Sequence, residues 1–197
     1  MPLHLEKKGI RALGIAESFS SSDEYSTLAG VVMRSDLVID GFALGSLEVS
    51  GADATDAILA LFKSLDRNDI NALLLSGSVL SLYNIVDVDK LHEDLAIPVI
   101  AISFRKSKAN LAARIRSRFE RKDADEKIRL LRKIGKASEI DLETGYRIFV
   151  RAAGITDKHA KRFLDKFTLQ GAVPEPIRVA RLFAKIVAPS IRKNRKD

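Results

Sequence analysis

Short apolar runs separated by polar breaks fill the first half of the chain at the spacing expected of a sheet protein. Ile10 to Phe19 alternates loosely and predicts a strand, followed by a polar loop over Ser20 to Ser26. Thr27 to Met33 and Leu37 to Val49 are β-branched and apolar, and the short link Arg34-Ser35-Asp36 between them predicts a hairpin of antiparallel strands. Asp53 is placed to cap a helix whose Ile58, Leu61, Phe62 and Leu65 recur at helical spacing. Ala72 to Leu75 is a continuous apolar run, as expected of a strand covered on both faces. Asp87 to Ala96 has helix composition, and Ile97 to Ile102 predicts another strand, with Pro98 near its start.

Strands joined through helices are parallel and cross over right-handed. The pattern therefore predicts a mixed α/β sheet of five strands in the order 3-2-1-4-5, with an antiparallel meander first and helices on both faces. After Ser103 the chain reads as entirely helical. Leu111, Ile115 and Phe119 mark one apolar face and Ile128, Leu131 and Ile134 another, with Gly135, Gly154 and Gly171 as helix stops. Pro174 and Pro176 precede an amphipathic stretch from Ile177 to Val187. The organisation expected is one domain over residues 1–189 and a basic, frayed tail over 190–197.

Composition narrows the chemistry. The 197 residues are 46% hydrophobic, enough for a sizeable core. They include no cysteine, which excludes thiolate metal sites, disulfides and cysteine nucleophiles and fits a reducing cytoplasm. No apolar run is long enough to span a bilayer, and the start of the chain does not read as a secretory signal, so a cytoplasmic protein is expected. Net charge is +7 but unevenly spread, at −8 over residues 1–104 and +15 over residues 105–197. A basic second half attracts polyanions, and nucleic acid is the expected partner; solubilising charge on helices is the alternative. Aromatic residues are only 6%, with no Trp, so few platforms exist for stacking bases.

Few motifs carry chemistry by themselves. Ser76-Gly77-Ser78 is too short for a nucleotide-binding fingerprint, and no Gly-x-Ser-x-Gly elbow is present. His4, His92 and His159 lack ligand spacing and are expected at the surface. Glu17 ends the first strand, and Asp53 and Asp56 begin the first helix. Such carboxylates suit a magnesium ion, although Asp53 also suits an ordinary helix cap. Asp87, Asp89, Glu93 and Asp94 read as a solvated helix face.

Leu73-Leu74-Leu75-Ser76-Gly77, Leu95-Ala96-Ile97-Pro98-Val99-Ile100-Ala101 and Pro174-Glu175-Pro176-Ile177-Arg178-Val179-Ala180-Arg181 resemble segments of endonuclease V, a nuclease of ribonuclease H-like fold. The same segments, with Gly51-Ala52-Asp53-Ala54-Thr55 and Gly171-Ala172-Val173, resemble the archaeal family named domain of unknown function 99, from about residue 9 to residue 188. The resemblance implies a ribonuclease H-like fold and, in endonuclease V, an acidic cluster that holds a divalent cation. Here Ala16, Ser76 and Arg181 stand at three of those positions, and Asp53 is the nearest candidate for the fourth. Glu17 neighbours Ala16 but would need a bulge to replace it.

Three readings follow. In the first, the chain binds nucleic acid without nuclease-type catalysis or cofactor, and Arg181, Ser76, Ser78 and Arg178 hold phosphate. In the second, it is a magnesium- or manganese-dependent nuclease with a rearranged site of Glu17, Asp53 and either Asp40 or Asp56. In the third, its basic helices dock a protein partner. Arg181 is expected either on a phosphate or in an ion pair with Glu17 or Asp53.

Overall fold

The computed structural model describes residues 9–20, 22–106 and 110–194, with the backbone alone for 192–194. His4 lies outside them. Three strands open the fold, β1 (Arg11–Ser18), β2 (Tyr25–Arg34) and β3 (Ile39–Glu48), as the apolar runs predict. They form an antiparallel meander. Helix α1 (Ala54–Ser64) leads to β4 (Ala72–Leu75), which runs parallel to β1. Two short strands, β5 (Val79–Leu80) and β6 (Asn84–Ile85), make a separate hairpin. Helix α2 (Val88–Leu95) then returns the chain to β7 (Val99–Ser103), parallel to β4.

The expected 3-2-1-4-5 order is present as β3-β2-β1-β4-β7, but the sheet has seven strands rather than five. Helices α3 (Leu111–Arg118) and α4 (Arg121–Lys133) form as expected, and then β8 (Ser138–Asp141) and β9 (Arg147–Ala153) extend the sheet beyond β7. The second half is therefore not wholly helical. Arg147-Ile148-Phe149-Val150-Arg151 alternates with period two, and Ile148 and Val150 are buried. Its arginines had masked that alternation. Gly154 ends β9 rather than a helix, and its backbone lies against the His92 ring, which meets the Ile97 carbonyl through Nδ1 at 2.8 Å. His92 is thus half-buried rather than on the surface, whereas His159 is exposed.

Helices α5 (Asp157–Lys166) and α6 (Glu175–Asn194) complete the chain. Helix α6 begins before Ile177, since Pro176 fits the first turn, where its missing N–H costs nothing. It continues through Asn194 into the stretch read as a basic tail; residues 195–197 lie outside the described residues. No helix among the described residues is long and apolar enough to cross a membrane.

Strand alternation sends alternate residues of the central strands to opposite layers. Leu13, Ile15, Leu73, Leu75, Val99 and Ala101 face α1 and α2, with Ile58 and Leu91 in the same core. Ala12, Ala72, Leu74, Ile100 and Ile102 face the other way, onto Phe163, Leu164, Phe167 and Ile177. Ala16 also lies on this second face, packed with Val31 against Ala180 of α6.

Candidate functional site

The parallel strands β4 and β7 end side by side, and the loops leaving them wall a cleft. The loop after β4 is Ser76-Gly77-Ser78; Ser76 N–H donates to the Ile15 carbonyl at 3.0 Å, and Gly77 has φ +148°, a conformation that favours glycine. Ser103, Phe104 and Arg105 supply the wall after β7, and Leu111 and Leu131 close the side formed by α3 and α4. Arg151 enters from β9, and the cleft holds about 380 Å³.

Arg151 is fixed at both ends of its guanidinium. Nη1 donates to Ser78 Oγ at 3.1 Å and Nε to the Gly135 carbonyl at 3.0 Å. Arg181, on α6, lies over the Phe104 ring at 4.6 Å, a cation–π contact beside the cleft. Burial lowers the pKa of both arginines, and the charge of Arg178 adds to the effect at Arg181. Among the described residues neither forms an ion pair, and no carboxylate lines the cleft. Two desolvated cations without an acid make a place for an external anion.

The acids named from the sequence lie elsewhere. Pairing of β1 with β2 is unbroken through Ala16 and Glu17, so no bulge exchanges them and Glu17 faces away from Ala16. Its carboxylate accepts from Ser81 N–H at 2.8 Å, from Ser81 Oγ, and from Ser26 Oγ at 3.2 Å. Burial raises its pKa, against the pull of those hydrogen bonds. Ser81, Leu82 and Tyr83 have φ of 37°, 56° and 77°, and such left-handed backbone costs about 1–2 kcal/mol per residue. Ser50 N–H on the Ser81 carbonyl at 2.7 Å helps hold that turn.

Asp53 occupies the cap position of α1 but caps nothing with its side chain. Its carboxylate accepts instead from Glu48 N–H at 3.2 Å and Asn84 Nδ2 at 2.6 Å, while Asn84 Oδ1 takes the Ala54 N–H at 2.9 Å. The cap is thus displaced onto Asn84. Asp56 is exposed on the first turn of α1. Asp40 is tied to Arg11 at 2.5 Å and Arg67 at 2.9 Å, and their hydrogen bonds lower its pKa. Among the described residues no three His, Asp or Glu side chains come together as a metal site.

Ser76 and Ser78 line the cleft, whereas Arg178 does not. Arg178 binds Glu175 at 3.1 Å and donates to the carbonyls of Gln170 at 3.0 Å and Val173 at 3.2 Å, pinning the start of α6. Arg181 pairs with neither Glu17 nor Asp53. Sequence reasoning missed Ser103, Arg105 and Arg151. The period-two pattern of β9 was the available signal for Arg151.

A mixed sheet in this order, with a cleft at the ends of its parallel strands, is a ribonuclease H-like fold, the fold that endonuclease V also has. A model of the family described as endonuclease dU matches residues 8–188, and the chain belongs to that family. A UPF0215 protein of Pyrobaculum aerophilum is 34% identical over 172 residues, 87% of this chain and 91% of the relative. A protein of unknown function from Archaeoglobus fulgidus superposes with TM-score 0.74 at 23% identity, covering 90% of this chain and 98% of the other. Endonuclease V of Ciona intestinalis, in complex with a 24mer DNA containing an inosine followed by a ribo-adenosine, superposes with TM-score 0.60 at 17% identity. That match covers 93% of this chain and 87% of the other.

Proposed function

We propose that this chain binds the sugar–phosphate backbone of nucleic acid in the cleft between the β4 and β7 loops, and does not cut it by the cation mechanism of endonuclease V. One observation carries the reading: the cleft is lined by Ser76, Ser78, Ser103, Arg105 and Arg151 and by no carboxylate, with Arg181 on its Phe104 wall. Guanidinium and hydroxyl donors suit a phosphate and repel a cation. A divalent ion needs carboxylate oxygen, and a neighbouring guanidinium opposes it by several kcal/mol where solvent screens poorly.

The positions carried over from endonuclease V agree with this donor set. Ala16 and Ser76 offer no carboxylate, and Arg181 brings a positive charge instead. The residues present do not fit the ion. Membership of a family named for an endonuclease, and a fold shared with a DNA-bound endonuclease V, support a nucleic-acid partner. A nucleic-acid partner fits a cytoplasmic location, with which the absence of cysteine is compatible.

Anisotropy of labelled single- and double-stranded oligonucleotides, with chelator or manganese, tests the proposal. For oligonucleotides short enough to fill only the cleft, affinity is expected to fall between about 50 and 200 mM salt with a log–log slope of about −3, one unit for each of Arg105, Arg151 and Arg181. Manganese is expected to change neither affinity nor strand integrity. Chelator-sensitive nicking that disappears in Glu17→Ala or Asp53→Ala would establish the rearranged nuclease instead, and salt-independent binding would remove the phosphate contact.

A further inference from the structure

Ten of the residues from Asn110 to Lys136 are Lys or Arg and four are Asp or Glu, so this short stretch carries +6 of the chain's net +7. It folds as the α3–α4 hairpin, on the flank of the cleft. Ile115, Ala124 and Ile128 bury against Ile85 of β6, and the Lys127 amine donates to the carbonyls of Gly51 and Tyr83. The hairpin is thus anchored from beneath, while its outer surface keeps Arg114, Arg116, Arg118, Arg121, Lys122 and Arg132 exposed. None of these six forms an ion pair among the described residues. Of its four acids, Glu120 and Asp123 lie at the start of α4, where the helix dipole favours them, and Asp125 and Glu126 follow in the second turn.

Helix α4 connects two concavities. Leu131 lines the cleft already described, and Arg121 and Asp125 line a second recess of about 430 Å³ with Arg116 and Phe119. From Arg121 to Leu131 the helix rises about 15 Å, which is about four steps of a duplex at 3.4 Å each. One face of Phe119 is taken by Lys127, 4.8 Å over its ring, and Tyr83 sits edge-on to it at 6.0 Å. The recess offers Arg116 and Arg121 to a phosphate, with Asp125 on the same wall.

We propose that the outer face of the α3–α4 hairpin is a second phosphate-binding surface, which holds the duplex flanking the cleft through Arg116 and Arg121 without reading its sequence. The proposal rests on the reading of the cleft as a phosphate site and extends it by about four base steps.

The test compares a loop-closed stem of about six base pairs, which reaches about 10 Å either side of the cleft, with a duplex of about twenty pairs. Wild type is compared with Arg116→Ala/Arg121→Ala and with Arg181→Ala, after circular dichroism confirms that each variant is folded. The longer duplex is expected to bind wild type with a salt slope steeper by about two, and the hairpin variant is expected to lose that increment while binding the short stem unchanged. Arg181→Ala is expected to weaken both ligands alike. A hairpin variant that matches wild type on the long duplex overturns this proposal and leaves the cleft reading standing. Wild type that binds neither ligand removes both, and points the basic face to a protein.

Discussion

Gly14 and Pro176 meet backbone to backbone. A Cβ on Gly14 would sit 2.5 Å from the Pro176 Cβ and 2.6 Å from its carbonyl oxygen, so the absent side chain is what lets α6 rest on β1. This contact joins β1 to the Pro174–Arg181 segment that resembles endonuclease V, and it seats Arg181 about 1.4 turns further along the helix.

Gly14→Ala is therefore expected to destabilise the fold by about 3 kcal/mol, at the upper end of overpacking costs, because backbone must move. Gly30→Ala is the comparison. Its Cβ would meet the Cδ2 end of the Leu61 side chain at 2.7 Å, and that end can rotate. Urea denaturation of both variants should rank Gly14→Ala as clearly the worse. Equal losses would mean that α6 shifts freely on β1.

The hydrogen-bonded Glu17 makes stability depend on pH. Its folded-state pKa is raised above the ordinary 4.5, so its protonated form is favoured in the fold. That contribution is complete below about 4.5 and is lost as pH rises through the folded value. Glu17→Gln keeps a neutral side chain in place, so its stability relative to wild type is expected to grow from pH 4.5 upward. A difference that stays flat from acid to neutral pH would show that the carboxyl titrates as if exposed.

Arg178 and Arg181 lie on one helix but should fail differently. Arg178→Ala removes donors from two backbone carbonyls and is expected to cost about 1 kcal/mol of stability with no change in salt slope. Arg181→Ala is expected to lower the slope by about one and leave the denaturation midpoint close to wild type. The reverse pattern would make Arg178 the phosphate ligand.

Lys127→Met tests the anchor of the hairpin. The change leaves the Gly51 and Tyr83 carbonyls without their donor, at about 1–3 kcal/mol. Hydrogen exchange should show α3 and α4 losing protection while β1 and β4 keep theirs. Uniform loss across the sheet would mean that the hairpin unfolds only with the whole domain.

Much of the frame is written in local pattern. The loose alternation of β1, the apolar runs of β2 and β3, the fully apolar Leu73-Leu74-Leu75 and the helical spacing of Ile58 and Leu61 are each visible in a short window of sequence. The five core strands and their order were legible for that reason. The added strand pair was not, because Arg147, Arg151 and the acids of Ser138–Asp141 give β8 and β9 the charge density of a surface helix.

The site was legible only in part. Ser76 and Ser78 stand out from their place after a buried strand, and Ala16 only through the resemblance to endonuclease V. Period two could have put Arg151 on a strand, but not beside Ser78, which it reaches from 73 residues away through the pairing of β9 with β7.

The sequence alone determined the order of the five core strands, which of them run parallel, and that positive charge gathers in the second half, since periodicity and composition act locally. Tertiary structure decided that Glu17 turns from Ala16 toward Ser81, that Asn84 relieves Asp53 of its cap, and that arginines rather than carboxylates converge on the cleft. Those outcomes depend on which distant loops come within hydrogen-bond reach, and reach is a property of the packed chain rather than of any window along it.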